Sequence, residues 1–301
     1  MANINNFSAI AKMDPINKGW SSDKKYYVET EKGEKLLLRT ADLSEHNKKK
    51  QEFEMMKRLA ESDIPMSQPI DFGIDDRGKR VYSFFTWCDG EDAAIVLPKL
   101  SEMEQYELGV KSGQILRKIH DMPAPDDRED WEKRFNRKID SKIKLYQDCS
   151  IKFNGDDRII RYIEANRHLL AGRPQCFQHG DYHVGNMIIS PQRELFIIDF
   201  NRWDYGDPWE EFNRIVWSVA ASPHFAAGQL HGYFNGKPPM QFFQLLALYI
   251  CTNTLSSIPW AISFGDEEVL TMKKQAKDVL SWFDGMNNPI PAWYNDVIKE
   301  A

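Results

Sequence analysis

The sequence predicts an α+β fold of two lobes, with residues 1–87 rich in short strands and residues 88–301 mostly helical. Three observations carry this. Before residue 87, runs of β-branched and aromatic residues are broken by turn signals. From about residue 91 onward, apolar residues recur at helical spacing. The chain has 301 residues, 42% hydrophobic and 28% charged, which is long enough for two cores.

In order along the chain, Lys25 to Glu29 and Lys35 to Arg39 read as strands around the turn Glu31-Lys32-Gly33-Glu34, a hairpin signal. Ser44 to Glu61 reads as a helix with Phe53, Met56 and Leu59 on one face, ended by Asp63-Ile64-Pro65. Arg80 to Trp87 is a strand, and Cys88-Asp89-Gly90 is placed as a hinge. Ser101 with Glu104 forms a capping box opening a helix that carries Leu108, Ser112, Ile115, Leu116 and Ile119 on one face and ends near His120. Further helices fit Trp131 to Cys149 and Asp156 to Leu170, and the last hundred residues are expected to be helical. Met187 to Ser190 and Leu195 to Ile198 are the only strands expected in this half.

Composition excludes several classes. Cys88, Cys149, Cys176 and Cys251 are widely spaced and form no CxxC pair, which argues against a zinc ribbon or a disulfide framework. The net charge is −6, and no basic block is long enough for a nucleic-acid footprint. After residue 86 there are 24 basic and 31 acidic residues, so the acidity lies in the C-terminal part. The longest apolar run, from Phe242, is shorter than the ~18 residues a membrane span needs. The N-terminus has neither a basic start nor an apolar stretch of signal-peptide type, and the expectation is a cytoplasmic protein without a membrane or nucleic-acid partner.

The stretch FQHGDYHVGNMII, Phe177 to Ile189, concentrates the chemistry. Read alone, His179, Asp181 and His183 alternate and could chelate zinc or iron from one strand face, or the stretch could be a polar turn. A third reading begins from its surroundings. If 187–190 pairs with 195–198 around a four-residue turn, partners sum to 385, so Ser190 faces Leu195, Met187 faces Ile198 and the next rung sets Asn186 opposite Asp199. An amide and a carboxylate would then converge near Asp181, and such hard oxygen donors suit Mg²⁺. This is the constellation of phosphoryl transfer, in which a loop Asp orients a hydroxyl and an Asn five residues on shares metals with a second Asp.

HGDYHVGN followed by IIDF resembles the catalytic loop and metal motif of the aminoglycoside phosphotransferase family, HGDxHxGN with ID[FW], whose relatives include choline, fructosamine, methylthioribose and homoserine kinases. The resemblance spans roughly residues 15 to 215. It implies a two-lobed protein-kinase-like fold that binds ATP, with GTP as the alternative, between its lobes near the backbone of Phe84, Phe85, Thr86 and Trp87. It implies Asp181 as the catalytic residue, Asn186 and Asp199 as Mg²⁺ ligands, and His179 and His183 as loop supports. GWSSDKKYYV resembles the nucleotide loop, with Ser21 toward the phosphates, and LLLRTAD places Arg39 where a phosphate-contacting cation sits, paired with Glu52. YGDPWEEF resembles the family's GDPxxDL turn with Glu211 for the usual Asp. Asp204, Asp207, Glu210 and Glu211 have two readings, bracing the loop or receiving a cationic substrate.

Two departures from protein kinases matter. Asn201 stands where they carry Gly, and His183 where their loop carries Lys. Nothing after Asp199 resembles an activation segment, so a small-molecule acceptor is expected, either an aminoglycoside-like antibiotic, suited to the acidic excess, or a related hydroxylated metabolite. The role is thus antibiotic resistance or metabolism. A metal-dependent hydrolase built on H-x-D-x-H and a catalytically silent nucleotide-binding homologue are the competing readings. The sequence sets no oligomeric state.

Overall fold

The hairpin around Gly33 forms from β2 (Lys24–Thr30) and β3 (Lys35–Asp42), with Gly33 in the left-handed region at φ 80°. The register sets Lys25 opposite Arg39, and Arg39 is in turn opposite Ser83 of β5 (Arg80–Thr86). With β1 (Ile10–Ile16) and β4 (Pro69–Ile74) these strands make a five-stranded antiparallel sheet in the order β1-β2-β3-β5-β4. Because side chains alternate across a strand, Val28, Leu36, Leu38 and Phe84 form a small core on one face, while Lys25, Arg39 and Phe85 lie on the other. Helix α1 (His46–Ala60) covers that second face, where its Phe53 meets Phe85 at 5.8 Å and Phe72 at 5.5 Å. This brings Lys49 and Glu52 of α1 to the cationic side of the sheet.

The computed structural model describes residues 10–17, 23–75 and 77–300. Ser21 and the anticipated Gly19 to Ser22 phosphate loop lie outside them. The described residues divide into two compact units, one running to Glu91 and including Met187–Asn201, the other comprising Asp92–Asn186 and the chain from Arg202 on. The sequence reading placed a single boundary after residue 87. The structure shows 187–201 returning to the first unit, where the Ile197 amide donates to the Pro65 carbonyl at 2.8 Å. Near the boundary are the two-residue strand β6 (Glu91–Asp92) and the one-turn helix α2 (Ala93–Val96). Gly90 is required, since a Cβ there would strike the Ile189 carbonyl oxygen of the returning segment.

In the second unit, the capping box of Ser101 and Glu104 opens α3 (Glu102–His120) as anticipated. There follow α4 (Trp131–Asp148), α5 (Asp156–Asn166), a short strand β7 (Cys176–Gln178), and later β10 (Asp204–Gly206), which pairs antiparallel with β7. Sequence reasoning missed this pair because three-residue strands carry no usable period. Between them in sequence come β8 (Met187–Ile189) and β9 (Leu195–Ile197), which pair with each other and belong to the first unit. The unit closes with α6 (Ile215–Ala221), α7 (Pro223–Phe234), α8 (Met240–Ile262), α9 (Asp266–Trp282) and α10 (Ala292–Glu300).

Helix α8 is 23 residues long and apolar enough by length and composition to cross a membrane, which corrects the expectation of no such segment. Polar Thr252 and Thr254 donate back to carbonyls four residues earlier, which hides them within the apolar span. The best window is 67% buried, and Leu245, Leu248, Leu255 and Ile258 pack against Phe135, Ile139 and Ile159 in the unit's main core.

Candidate active site

The loop 179–186 leaves β7 and is held from three sides. The His179 side chain is fully buried and its Nδ1 accepts the Asp181 amide at 3.2 Å. Glu211 is 2% exposed, and its carboxylate accepts the Gly180 amide at 3.0 and 3.1 Å and the Tyr182 amide at 3.4 Å. Tyr182 anchors the loop to α3, its hydroxyl donating to the Ser112 carbonyl at 2.8 Å and accepting from Ser112 Oγ at 3.2 Å. Gly180 has φ 82°, and a Cβ there would collide with the Arg202 carbonyl oxygen.

Two further bonds set the working groups. Asn186 Nδ2 donates to the Asp181 carbonyl at 2.9 Å, so the amide oxygen Oδ1 is the atom left to accept. His183 Nδ1 accepts the Gly185 amide at 3.0 Å, so the neutral ring carries its proton on Nε2, 3.5 Å from Asp181 Oδ1. Arg214 Nε lies 3.3 Å from the same carboxyl and Arg202 Nη1 3.8 Å from its other oxygen. Burial alone would raise the Asp181 pKa, but His183, Arg214 and Arg202 outweigh it and hold the carboxyl well below the usual carboxylate range. Asp181 is therefore ionised at neutral pH.

In the first unit, Asp199 lies two residues beyond β9 with φ 66°, a left-handed conformation uncommon for a residue other than glycine. Its Oδ2 receives Lys25 Nζ at 2.9 Å, and Arg39 Nη1 stands 3.7 Å from Oδ1. Arg39 is also bound by Asp23, through Nε at 3.2 Å and Nη2 at 2.6 Å. Asp23 takes Lys49 Nζ at 2.9 Å as well, and Lys49 continues to Glu52 at 3.0 Å. Burial would raise the Asp23 pKa, but Arg39 and Lys49 lower it below the usual range.

Several expectations need correction. Glu52 pairs with Lys49, one turn earlier on α1, because the short Asp23 carboxylate occupies the Arg39 guanidinium. The β8–β9 register sets Met187 opposite Ile197 and Ile189 opposite Leu195, so partners sum to 384. The turn is one residue shorter than anticipated, since Ser190 Oγ accepts the amides of Gln192 and Glu194 and Arg193 adopts φ 63°. The ladder thus does not set Asn186 opposite Asp199. Glu210, Glu211 and Asp204 take the bracing role. Glu210 receives Lys138 at 2.9 Å, Asp204 pairs with Arg134, and Glu211 holds the loop.

Phe85 is in the core against Phe53, and Trp87 packs edge-on to Tyr27 at 5.0 Å, so neither side chain stands free. The sequence reading missed Asp23, Lys25, Lys49, Arg202 and Arg214. The only signal for the arginines was their position just after the IIDF and GDPWEE segments. Among the described residues, no group of three or more His, Cys, Asp or Glu side chains could hold a metal ion, and His179 is committed to its loop. The hydrolase reading finds no support.

An antiparallel sheet backed by one helix, a helical second unit, and a braced HGDxHxGN loop with an ionised aspartate together define a small-molecule kinase of the protein-kinase-like fold. The model of the family described as phosphotransferase enzyme family (APH) matches residues 12–243, and the chain belongs to that family. No curated protein matches the sequence. Solved structures share the fold at low identity. A choline/ethanolamine kinase family protein from Mesorhizobium loti aligns at TM-score 0.66 and 13% identity, over 97% of this chain and 93% of that one. A thermostable mutant of the aminoglycoside phosphotransferase APH(4)-Ia, in ternary complex with ADP and hygromycin B, aligns at 0.65 and 14%, over 92% and 96%. The amicoumacin kinase hAmiN bound to AMP-PNP, Ca²⁺ and Ami aligns at 0.62 and 12%, over 97% and 93%.

Proposed function

We propose that the protein transfers the γ-phosphate of ATP, with GTP as the alternative donor, to a hydroxyl of a small molecule in the cytoplasm. The observation that carries this reading is Asp181, ionised beside Arg214, Arg202 and the His183 ring and fixed through its own backbone by His179 and Asn186. In the step, the acceptor oxygen forms a bond to the γ-phosphorus as the bond to the β,γ-bridging oxygen breaks. ADP departs with that electron pair, and Asp181 orients the hydroxyl and takes its proton late. Most of the acceleration then comes from positioning and charge stabilisation.

The donors fit Mg²⁺. Asn186 has an amide oxygen left to accept, and Asp199 offers a carboxylate that already attracts Lys25 and Arg39. When bound, the metal would neutralise charge on the phosphates. Arg39, held by Asp23, and Lys25, its neighbour across the sheet, would contact phosphate oxygens, while Lys49 and Glu52 buttress that pair. The backbone around Phe85 and Trp87 would read the base, and Ser21 would complete the phosphate loop.

Of the two acceptor kinds, a hydroxylated metabolite is favoured over an aminoglycoside, because Asp204, Glu210 and Glu211 are engaged with Arg134, Lys138 and the loop. A metabolic role follows in preference to resistance. The test is ³¹P NMR of the enzyme with Mg-ATP and a pooled set of hydroxylated compounds that includes several aminoglycosides. Phosphate transfer that Asp181→Ala lowers on the order of 10²–10⁴-fold supports the reading. Near-wild-type turnover in that variant sinks it.

A further inference from the structure

The side chains paired with Asp181 are those of His183, Arg202 and Arg214. Among the described residues neither arginine has a second ion-pair partner. Their side chains are 44% and 25% exposed, so both are open to solvent. One carboxylate cannot satisfy two guanidinium groups with five donors each, and the contacts of 3.3 and 3.8 Å leave most of those donors unused.

Two lysines of α4 bear on this corner electrostatically, since Lys138 and Arg214 both act on Lys142. Lys138 is committed to Glu210 at 2.9 Å. Among the described residues the hydrogen-bond partner of Lys142 is neutral Asn253, at 3.5 Å. Burial, followed by the charge of Lys138 and with a contribution from Arg214, pushes the Lys142 ammonium down to about 7, against the opposing pull of Glu210. The standing positive charge of this corner is therefore that of Arg202 and Arg214, set against the single carboxylate of Asp181.

We propose that the acceptor is itself an anion, a small hydroxyl compound whose carboxylate or phosphate group docks on Arg214 and Arg202 while its hydroxyl is oriented by Asp181. The proposal rests on the phosphotransfer reading and deepens it. A guanidinium presents a planar fork that matches a carboxylate or a phosphate in bidentate fashion. Arg214 Nε lies 3.3 Å from Asp181 Oδ1, so an acceptor hydroxyl on one and an anionic group on the other are separated by only a few bonds. A short hydroxy acid or a hydroxyalkyl phosphate has this spacing. An ammonium group beside the reacting hydroxyl would instead meet two like charges. The products would be ADP and the phosphate ester of the anionic acceptor, with the hydroxyl proton passed to Asp181.

Four probes of similar size separate the alternatives, namely glycerate, glycerol 3-phosphate, glycerol and ethanolamine. Binding is read by calorimetry on the full chain without nucleotide, and transfer by ³¹P NMR with Mg-ATP. The expected result is binding of glycerate or glycerol 3-phosphate at least about tenfold tighter than of glycerol or ethanolamine, the size of one charge-assisted contact. Which of the two wins distinguishes carboxylate from phosphate. Arg214→Ala and Arg202→Ala should each weaken anion binding about 10- to 100-fold, with Arg214→Lys between wild type and alanine. Arg161→Ala, on the exposed face of α5, should change nothing. AMP-PNP affinity should stay within about twofold in Arg214→Ala, a difference well under one such contact.

Equal or tighter binding of glycerol or ethanolamine overturns the proposal. So does an Arg214→Ala variant that loses AMP-PNP and keeps the anion, since the guanidinium would then serve the nucleotide. Anion binding that depends on Arg214 without any phosphate transfer upholds the anion site and counts against the phosphotransfer reading instead.

Discussion

Glu211 accepts the amide of Gly180 through both carboxylate oxygens, at 3.0 and 3.1 Å, from a position 2% exposed to solvent. The acid near the GDP turn thus holds the backbone one residue before Asp181. Replacing it by alanine would leave the Gly180 and Tyr182 amides without their acceptor, at a cost of about 1–3 kcal/mol for each buried unsatisfied group. Glu211→Ala is expected to lower both the urea midpoint and kcat. Glu211→Gln keeps one acceptor oxygen and should recover much of the stability. Equal stability of the alanine variant and wild type would remove Glu211 from this role.

The chain Arg39–Asp23–Lys49–Glu52 makes a second expectation. Asp23 faces two cations whose side chains are only 13% and 10% exposed, so Asp23→Asn leaves both without their shared counter-charge. A loss of about 3–5 kcal/mol follows from breaking such a buried pair. Glu52→Gln removes an acid from Lys49, which retains Asp23, and should cost well under half of that. The order reverses if Glu52 is the main partner, and denaturant titration of the two variants decides it. The Asp23 pKa is lowered in the folded state. Its contribution is therefore present above the unfolded carboxylate pKa of about 3.9 and is lost as pH falls through the lower folded value.

Lys142 gives a pH dependence of the same sign in a higher window, from a group whose charged form burial destabilises. Its pKa falls from 10.5 to about 7 through burial, with Lys138 and Arg214 lowering it and Glu210 opposing them, while Asn253 of α8 is its hydrogen-bond partner. Between pH 7 and 10.5 the unfolded chain binds the proton more tightly, so this group makes stability rise with pH across that window and adds no slope below it. Lys142→Met should therefore gain most over wild type near pH 7 and converge with it near pH 10. Denaturation midpoints of both proteins at several pH values test this, and a constant difference would refute it.

Much of the site was legible because it is local. Asp181, Asn186, His179 and His183 lie within eight positions, and the turn they form is closed by bonds among themselves. The capping box at Ser101 was legible for the same reason. The ion pairs were not, since Lys25 meets Asp199 across 174 residues and Arg39 chooses Asp23 over Glu52 through side-chain reach rather than spacing. The hairpin register failed by one because a serine hydroxyl, rather than the strand pattern, fixed the turn length. The strands β7 and β10 are too short to show alternation, and α8 hides two threonines within an apolar span.

The packing of α3 on α7 yields the last expectation. Gly109 and Gly113 on one helix, and Gly228 and Gly232 on the other, each face a backbone carbonyl so closely that a Cβ would overlap it. Backbone cannot yield as the end of a side chain can, so the helices would have to separate. Gly113 is the most telling of the four, because its neighbour Ser112 bonds Tyr182 of the loop 179–186 and receives Gln229 Nε2 at 3.1 Å. In an isolated helix Gly→Ala would be favourable by up to about 1 kcal/mol, whereas overpacking costs about 1–3 kcal/mol or more. Gly113→Ala is therefore expected to destabilise the protein and to lower kcat by displacing Tyr182. Gly172→Ala, at a turn where a Cβ would meet open space, should strain only its own backbone and leave kcat unchanged. Urea denaturation and kcat of the two variants test the difference, and an unchanged or stabilised Gly113→Ala would show that the crossing tolerates a methyl group.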